Sequence, residues 1–183
     1  TPVKINYQSI GSGGGISQIT AFTVDFGATD GIMTDAQIAA ATTAGGPILH
    51  IPMTSGSVAV IYNLTGVATG LKLTPDVMAD IYLKNIKNWN DARISALNPG
   101  ITLPNTAIAV VHRSDGSGTT NIFTNNLDKV STEWHAKVGT ANSVNWPGDI
   151  GGSGNAGVAG QVSQIPGGIG YVELAYATQN KLP

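Results

Sequence analysis

The chain has 183 residues, 11% of them charged, a formal net charge of −2 and no cysteine. That length suits one domain or two small lobes with a real core. The composition excludes the basic footprint of a nucleic-acid binder, and the lack of cysteine excludes disulfides, zinc–thiolate sites and thiol nucleophiles. No apolar run approaches the roughly 18 residues of a membrane span. The sequence opens on Thr1-Pro2 without a basic-then-apolar leader, so a signal peptide is expected to be absent or already removed. Arginine occurs only at Arg93 and Arg113, which makes each position informative.

In chain order, Val3 to Tyr7 alternates as a short strand. Gly11-Ser12-Gly13-Gly14-Gly15 follows and leads into a helix from Ile16. Ser12 and that helix start can donate to an anion, although the lysine of a GxxxxGK[ST] loop is missing and a glycine run alone is more often a simple turn. Val24 to Asp30 reads as a buried strand ending in an acid. Thr34 or Asp35 caps a helix that Gly45-Gly46-Pro47 breaks. Ile48 to Pro52 and Ser57 to Tyr62 are two apolar extended runs. Residues 53–56 between them form either a crossing between two lobes or a bend in one strand. Thr74-Pro75-Asp76 starts a helix to Leu83 that buries Val77 and Ile81. Trp89-Asn90-Asp91 leads into a short helix through Ile94 and Leu97, ended by Asn98-Pro99-Gly100.

Ile108 to Val111 is a buried apolar strand that empties into His112-Arg113-Ser114-Asp115-Gly116-Ser117-Gly118-Thr119-Thr120. Ile122, Phe123 and Leu127 then follow at helical spacing. A strand, a Gly/Ser/Thr loop and a helix start together make an anion cradle, because the first helical N–H groups lack partners and carry the positive end of the helix dipole. Gly116 and Gly118 allow close backbone approach, and Ser117, Thr119 and Thr120 add hydroxyls. Further on, Ser131-Thr132-Glu133-Trp134 caps a short helix and Asn142 to Trp146 is strand-like. Gly148 to Gly154 is a glycine-rich loop, Asn155 to Gln164 a helix with Val158 and Val162 inward, Ile169 to Val172 a buried strand, and Glu173 to Gln179 a last helix. Strands alternating with helices predict an α/β architecture with substantial parallel pairing.

No serine sits in a G-x-S-x-G elbow. His50, His112 and His135 form no HExxH pair, so a triad and a catalytic metal are not expected. Arg113 is either an ion pair with Asp115 or a fork for an oxyanion, and the hydroxyl cradle beside it favours the ligand. Asp30 and Asp115 suit an anion only if that anion keeps a proton, since an ionised carboxylate can only accept. Such an acceptor rejects an oxyanion with no proton to give.

Six ordered stretches resemble one family: residues 7–15, 24–30, 97–100, 111–119, 151–155 and 169–173. The chain is similar to the extracytoplasmic phosphate-binding proteins of bacterial ABC phosphate transporters. The resemblance implies an α/β, two-lobed periplasmic binding protein-like fold of type II with an incomplete first lobe. Residues 1–52 would be part of that lobe, 53–56 the hinge crossing, and 57–183 the second lobe, with the chain end returning toward the first. It also implies a phosphate shell of Arg113, Ser117, Gly118 and Thr119, with Ser12 as a donor from the first lobe. Asp30 would accept the proton of hydrogen phosphate and so exclude sulfate, and Asp115 would orient the arginine. Phosphate would be bound without turnover, metal or cofactor. Expected partners are inorganic phosphate and the membrane subunits of an ABC transporter. The protein would be a monomer at the periplasmic or extracellular face, with a lipid anchor as one option. Family members are longer at both ends, so residues 1–52 are expected to leave strand edges and apolar surface uncovered. The competing readings are a phosphate-ester hydrolase and a structural or assembly protein on the same scaffold.

Overall fold

A computed structural model describes residues 2–148 and 150–183. Its centre is a four-stranded mixed sheet of β1 (Val58–Tyr62), β2 (Ala109–Arg113), β3 (Ile150–Gly152) and β4 (Gly168–Glu173), in the order β1-β4-β2-β3. β1 runs antiparallel to β4, while β2 is parallel to both β4 and β3. The fold is therefore α/β, as the alternating pattern predicts. Side chains alternate across the sheet with period two. Tyr62, Val110, Ile169 and Tyr171 join the larger core on one face, and Ile61, Val111 and Val172 join Val158 and Val162 on the other. Burial on both faces explains why these strands read as continuous apolar runs.

The helices in chain order are α1 (Gly11–Thr20), α2 (Asp35–Gly45), α3 (Pro75–Tyr82), α4 (Ala92–Leu97), α5 (Gly118–Val130), α6 (Thr132–Lys137), α7 (Gly154–Gln164) and α8 (Leu174–Gln179). Several start where local chemistry says they should. Thr34 closes a capping box with Gln37 at α2, and Asp91, Ser131 and Glu173 each accept a first-turn N–H at α4, α6 and α8. Thr74 stands at the α3 N-cap without a capping bond of its own. Its side chain instead hydrogen-bonds Asp76 and lowers that carboxyl below its usual range. Asn98, buried after α4, donates to Lys72 O and Ile94 O and accepts from Lys72 N–H, pinning the loop before α3. Trp89 and Trp134 are fully buried, and their indole N–H groups reach Gly167 O and Gly139 O, both at 2.9 Å.

Four expected strands are corrected. Val3 to Tyr7, Val24 to Asp30 and Ile48 to Pro52 have no strand structure. Alternation supplies only one face of a strand; the ladder needs a neighbour, and among the described residues none of these segments has one. Asn142 to Trp146 is also irregular, with the Asn142 carbonyl taking the Ser117 N–H at 2.9 Å and Trp146 packing into the aromatic cluster. Conversely, the glycine-rich stretch 148–154 contains β3, which pairs Ile150, Gly151 and Gly152 with Val111, His112 and Arg113. α1 begins at Gly11, so the glycine run is itself the first turn and a half rather than a loop before the helix.

The residues before β1 pack among themselves. Ile16, Met33 and Ala41, with Ile38 and Ile48, form a small cluster between α1 and α2. Val3, Ile5, Phe22, Phe26, Ile32, Leu49, Ile51 and Met53 are all more than half exposed.

Candidate functional site

β2 ends on Arg113, and the chain turns through Ser114, Asp115 and Gly116 into the N-terminus of α5. Arg113 is buried, and its Nε and Nη2 donate to the two oxygens of Asp115 at 2.7 and 2.5 Å. This is a two-bond fork of the kind that fixes a guanidinium plane. Asp115 Oδ1 also accepts the Gly154 N–H at 3.0 Å, from the first residue of α7. The Arg113 fork, helped by the Gly154 bond, holds the Asp115 carboxyl below the ordinary carboxylate range. Of the five guanidinium N–H donors, two go to Asp115 and a third points at Asn155 Oδ1 from 3.5 Å, so the fork keeps capacity for a further acceptor.

Ser117 caps α5, its Oγ accepting the Thr120 N–H at 3.2 Å. Ser117, Gly118, Thr119 and Thr120 are all buried. Among the described residues the Gly118 and Thr119 N–H groups have no protein acceptor, so the positive end of a 13-residue helix is open at this point.

The N-terminal segment meets this loop directly. The Gly13 N–H donates to Gly116 C=O at 2.9 Å, and a Cβ on Gly13 would lie 2.9 Å from Gly116 Cα, so the two glycine stretches touch backbone to backbone. Gly11 adopts φ +73, which suits glycine at the start of α1. Buried Ser12 accepts the Asp30 N–H on its Oγ at 3.1 Å. A Cβ on Gly118 would collide with Ser12 Oγ and lie 2.5 Å from both Cβ and Oδ2 of Asp30. α1 has no side-chain cap at Ile10, and the Gly13–Gly116 and Ser12–Gly118 contacts bring its N-terminus against that of α5. The seven residues singled out in the sequence thus gather in one place: Ser12 and Asp30 from the N-terminal segment, and Arg113, Asp115, Ser117, Gly118 and Thr119 from the turn after β2.

The three histidines are engaged elsewhere. His112 Nδ1 lies 2.9 Å from Arg113 O with its ring stacked on Trp146, His50 Nε2 accepts the Met33 N–H, and His135 faces Asp128.

Three contributors were not assigned from sequence. The Gly154 N–H and Asn155 bring α7 to the Arg113–Asp115 pair, and Tyr171 Oη accepts the Arg113 main-chain N–H at 3.2 Å. The sequence signal for Tyr171 was a hydroxyl on an otherwise apolar buried strand, where such a group usually finds a partner.

An arginine held by its own aspartate thus sits beside two helix starts, that of α1 without a side-chain cap and that of α5 with first-turn N–H groups still open. The family model of the PBP superfamily domain matches residues 1–183, and the chain belongs to that superfamily. Its fold is the α/β periplasmic binding-protein fold of type II. Among curated proteins it is similar to the phosphate-binding protein PstS of Xylella fastidiosa, at 55% identity over 98% of this chain and 48% of that protein. It is likewise similar to PstS of Pasteurella multocida (54%, over 98% and 51%) and of Methanocaldococcus jannaschii (42%, over 99% and 49%). The chain spans about half the length of these relatives. Among solved structures, a phosphate-binding protein from Stenotrophomonas maltophilia superposes with a TM-score of 0.72 at 21% identity, over 94% of this chain and 54% of that one. A putative phosphate ABC transporter substrate-binding protein with bound phosphate, from Clostridium perfringens, does so with a TM-score of 0.65 at 20% identity, over 91% and 57%. At those identities the likeness concerns the fold alone.

Proposed function

We propose that this chain carries the phosphate-recognition core of an extracytoplasmic solute-binding protein that delivers hydrogen phosphate to the membrane subunits of an ABC transporter. The observation that carries the reading is the meeting of Ser12 and Asp30 with Gly118 at the open N-terminus of α5, beside the Arg113–Asp115 pair. Arg113, the Ser117 and Thr119 hydroxyls, Ser12 and the free N–H groups of Gly118 and Thr119 supply donors for the anion's charged oxygens. Asp30 supplies the single acceptor, which hydrogen phosphate satisfies and sulfate does not. Asp115 orients the arginine and offsets part of its charge, so affinity comes from directed hydrogen bonds as well as from net charge. The names of the PstS relatives support the ligand and describe binding rather than turnover.

On this reading residues 1–52 belong to one lobe, 53–56 to the crossing and 57–183 to the other lobe. The protein works as a monomer in the periplasm or at the outer face of a cell, where a lipid anchor is compatible with the role. No helix among the described residues is long and apolar enough to cross a membrane. Titration of the purified chain with phosphate and with sulfate tests the proposal, and Asp30→Asn should erode the preference for phosphate more than Ser12→Ala does. The reverse order of the two variants counts against Asp30 as the proton reader.

A further inference from the structure

β2 and β4 are paired only where Ala109 and Val110 meet Gly168 and Ile169. Three residues beyond the last of these pairs, the Arg113 N–H finds no β4 carbonyl. The phenol oxygen of Tyr171 takes that place, accepting the N–H at 3.2 Å. The same oxygen lies 2.6 Å from Thr120 Oγ1 in the first turn of α5. Tyr171 is fully buried, and its ring stacks on Phe123 of α5 with centroids 4.4 Å apart at 10°. One hydroxyl therefore joins the end of the strand that presents Arg113 to the helix that presents the open N–H groups, and the ring behind it fixes where that hydroxyl sits. Burial pushes the phenol up to about 12, so it stays neutral and able to donate across the working pH range.

Tyr82 offers a contrast within the same aromatic cluster. Its ring is 6.3 Å from that of Tyr171 and 4.7 Å from Phe123, and it is equally buried. Among the described residues its hydroxyl has no hydrogen-bond partner. The two tyrosines thus share packing and differ in what the oxygen does.

We infer that Tyr171 is a positioning residue for the anion site, setting the distance and angle between Arg113 and the α5 N-terminus through its hydroxyl. This inference rests on the phosphate reading of that site. Tyr171→Phe keeps the ring and removes one atom, leaving the Arg113 N–H and the Thr120 hydroxyl buried without their partner. A misplaced fork and helix start cannot both meet one small anion, so affinity falls while the core persists.

The test is calorimetric titration of the full chain with inorganic phosphate for wild type, Y171F, T120V, the double variant and Y82F. Y171F and T120V should each weaken binding on the order of tenfold. The double variant should be little worse than Y171F alone, because the hydrogen bond that T120V breaks is already lost in Y171F, and Y82F should match wild type. Wild-type affinity in Y171F, or an equal loss in Y82F, overturns the inference. Should Y171F fail to fold, T120V probes the same bond from the other side, and wild-type affinity there is equally fatal. A wild-type chain that binds no phosphate refutes the functional reading instead, and NMR titration of the Asp115 carboxyl then tests the positioning role without ligand. A rise of its pKa in Y171F but not in Y82F sustains that role, and equal pKa values in all three proteins end it.

Discussion

The two sides of the candidate site are built differently. The turn after β2 is braced from three directions: β3 pairs with β2 up to Arg113, the Gly154 N–H of α7 holds Asp115, and Tyr171 of β4 holds the Arg113 backbone. The segment carrying Ser12 and Asp30 rests on a five-residue apolar cluster, one backbone bond to Gly116 and a glycine contact at position 118. Most of its large apolar side chains face solvent. The difference teaches that the Arg113–Asp115 half of the candidate site is set by the sheet, while the half proposed to read the proton is held by little more than its contact with the loop.

Breaking the charged half should have the largest effect. Arg113→Met removes the cation proposed to face the anion and leaves the Asp115 carboxylate to repel it; truncating one partner of a hydrogen-bonded charge pair costs binding about 3 kcal/mol, so phosphate affinity should fall by about 100-fold. Calorimetry reads this, and a loss below tenfold would show that the braced half is not the main source of binding.

Gly118→Ala attacks the contact between the halves. The added Cβ occupies space now held by Ser12 Oγ and the Asp30 side chain. Affinity should drop on the order of tenfold, since a displaced donor and acceptor each forfeit a hydrogen bond. Amide exchange at residues 11–13 should accelerate while the amides of β2 and β4 stay protected. Equal loosening of both regions would contradict the asymmetry.

A smaller effect separates the halves by pH. Arg113 depresses the Asp115 carboxyl in the folded chain. The stabilisation from that pair is therefore complete above the unfolded carboxylate value and is lost only as pH falls through the lower, folded one. In Arg113→Met the largest cause of the depression is removed. The difference in melting temperature between wild type and variant should shrink from pH 5 toward pH 2, and a constant gap would show that Asp115 is not tied to the arginine.

The smallest effect concerns the core behind the braced half. Burial raises the Tyr82 phenol well above its ordinary value, and among the described residues its oxygen has no partner. Tyr82→Phe should leave denaturant stability unchanged or raise it by about 1 kcal/mol, and a loss of more than that would reveal a partner for the hydroxyl.

The same asymmetry governs what could be read in the sequence. From Ser57 onward the helices begin at local punctuation such as Pro75, Asp91 and Ser131, and β2 and β4 are short apolar runs between turns, so local pattern and final structure agree except at Asn142 to Trp146, which is irregular. β3 escaped because two of its three residues are glycines, which carry no apolar signature. Before β1 the alternation at Val3, Ile5 and Tyr7 is real, yet a strand is a property of a pair and no described segment pairs with it. In the site, the Arg113–Asp115 fork was legible because its members lie two positions apart. The meeting of Ser12, Asp30 and Gly118 joins residues about a hundred positions apart, and only family resemblance brought them together in advance. Tyr171 was visible as a buried strand residue; its hydroxyl's task became clear once β2 and β4 were seen to part after Val110.

The central claim is that this surface binds an oxyanion that keeps a proton. Parallel calorimetric titrations of the chain with phosphate and with sulfate, at one ionic strength and neutral pH, test it most directly. The account predicts saturable binding of phosphate and none of sulfate over the same concentrations, with the preference lost in Asp30→Asn. Equal affinity for the two anions in the unaltered chain would contradict it.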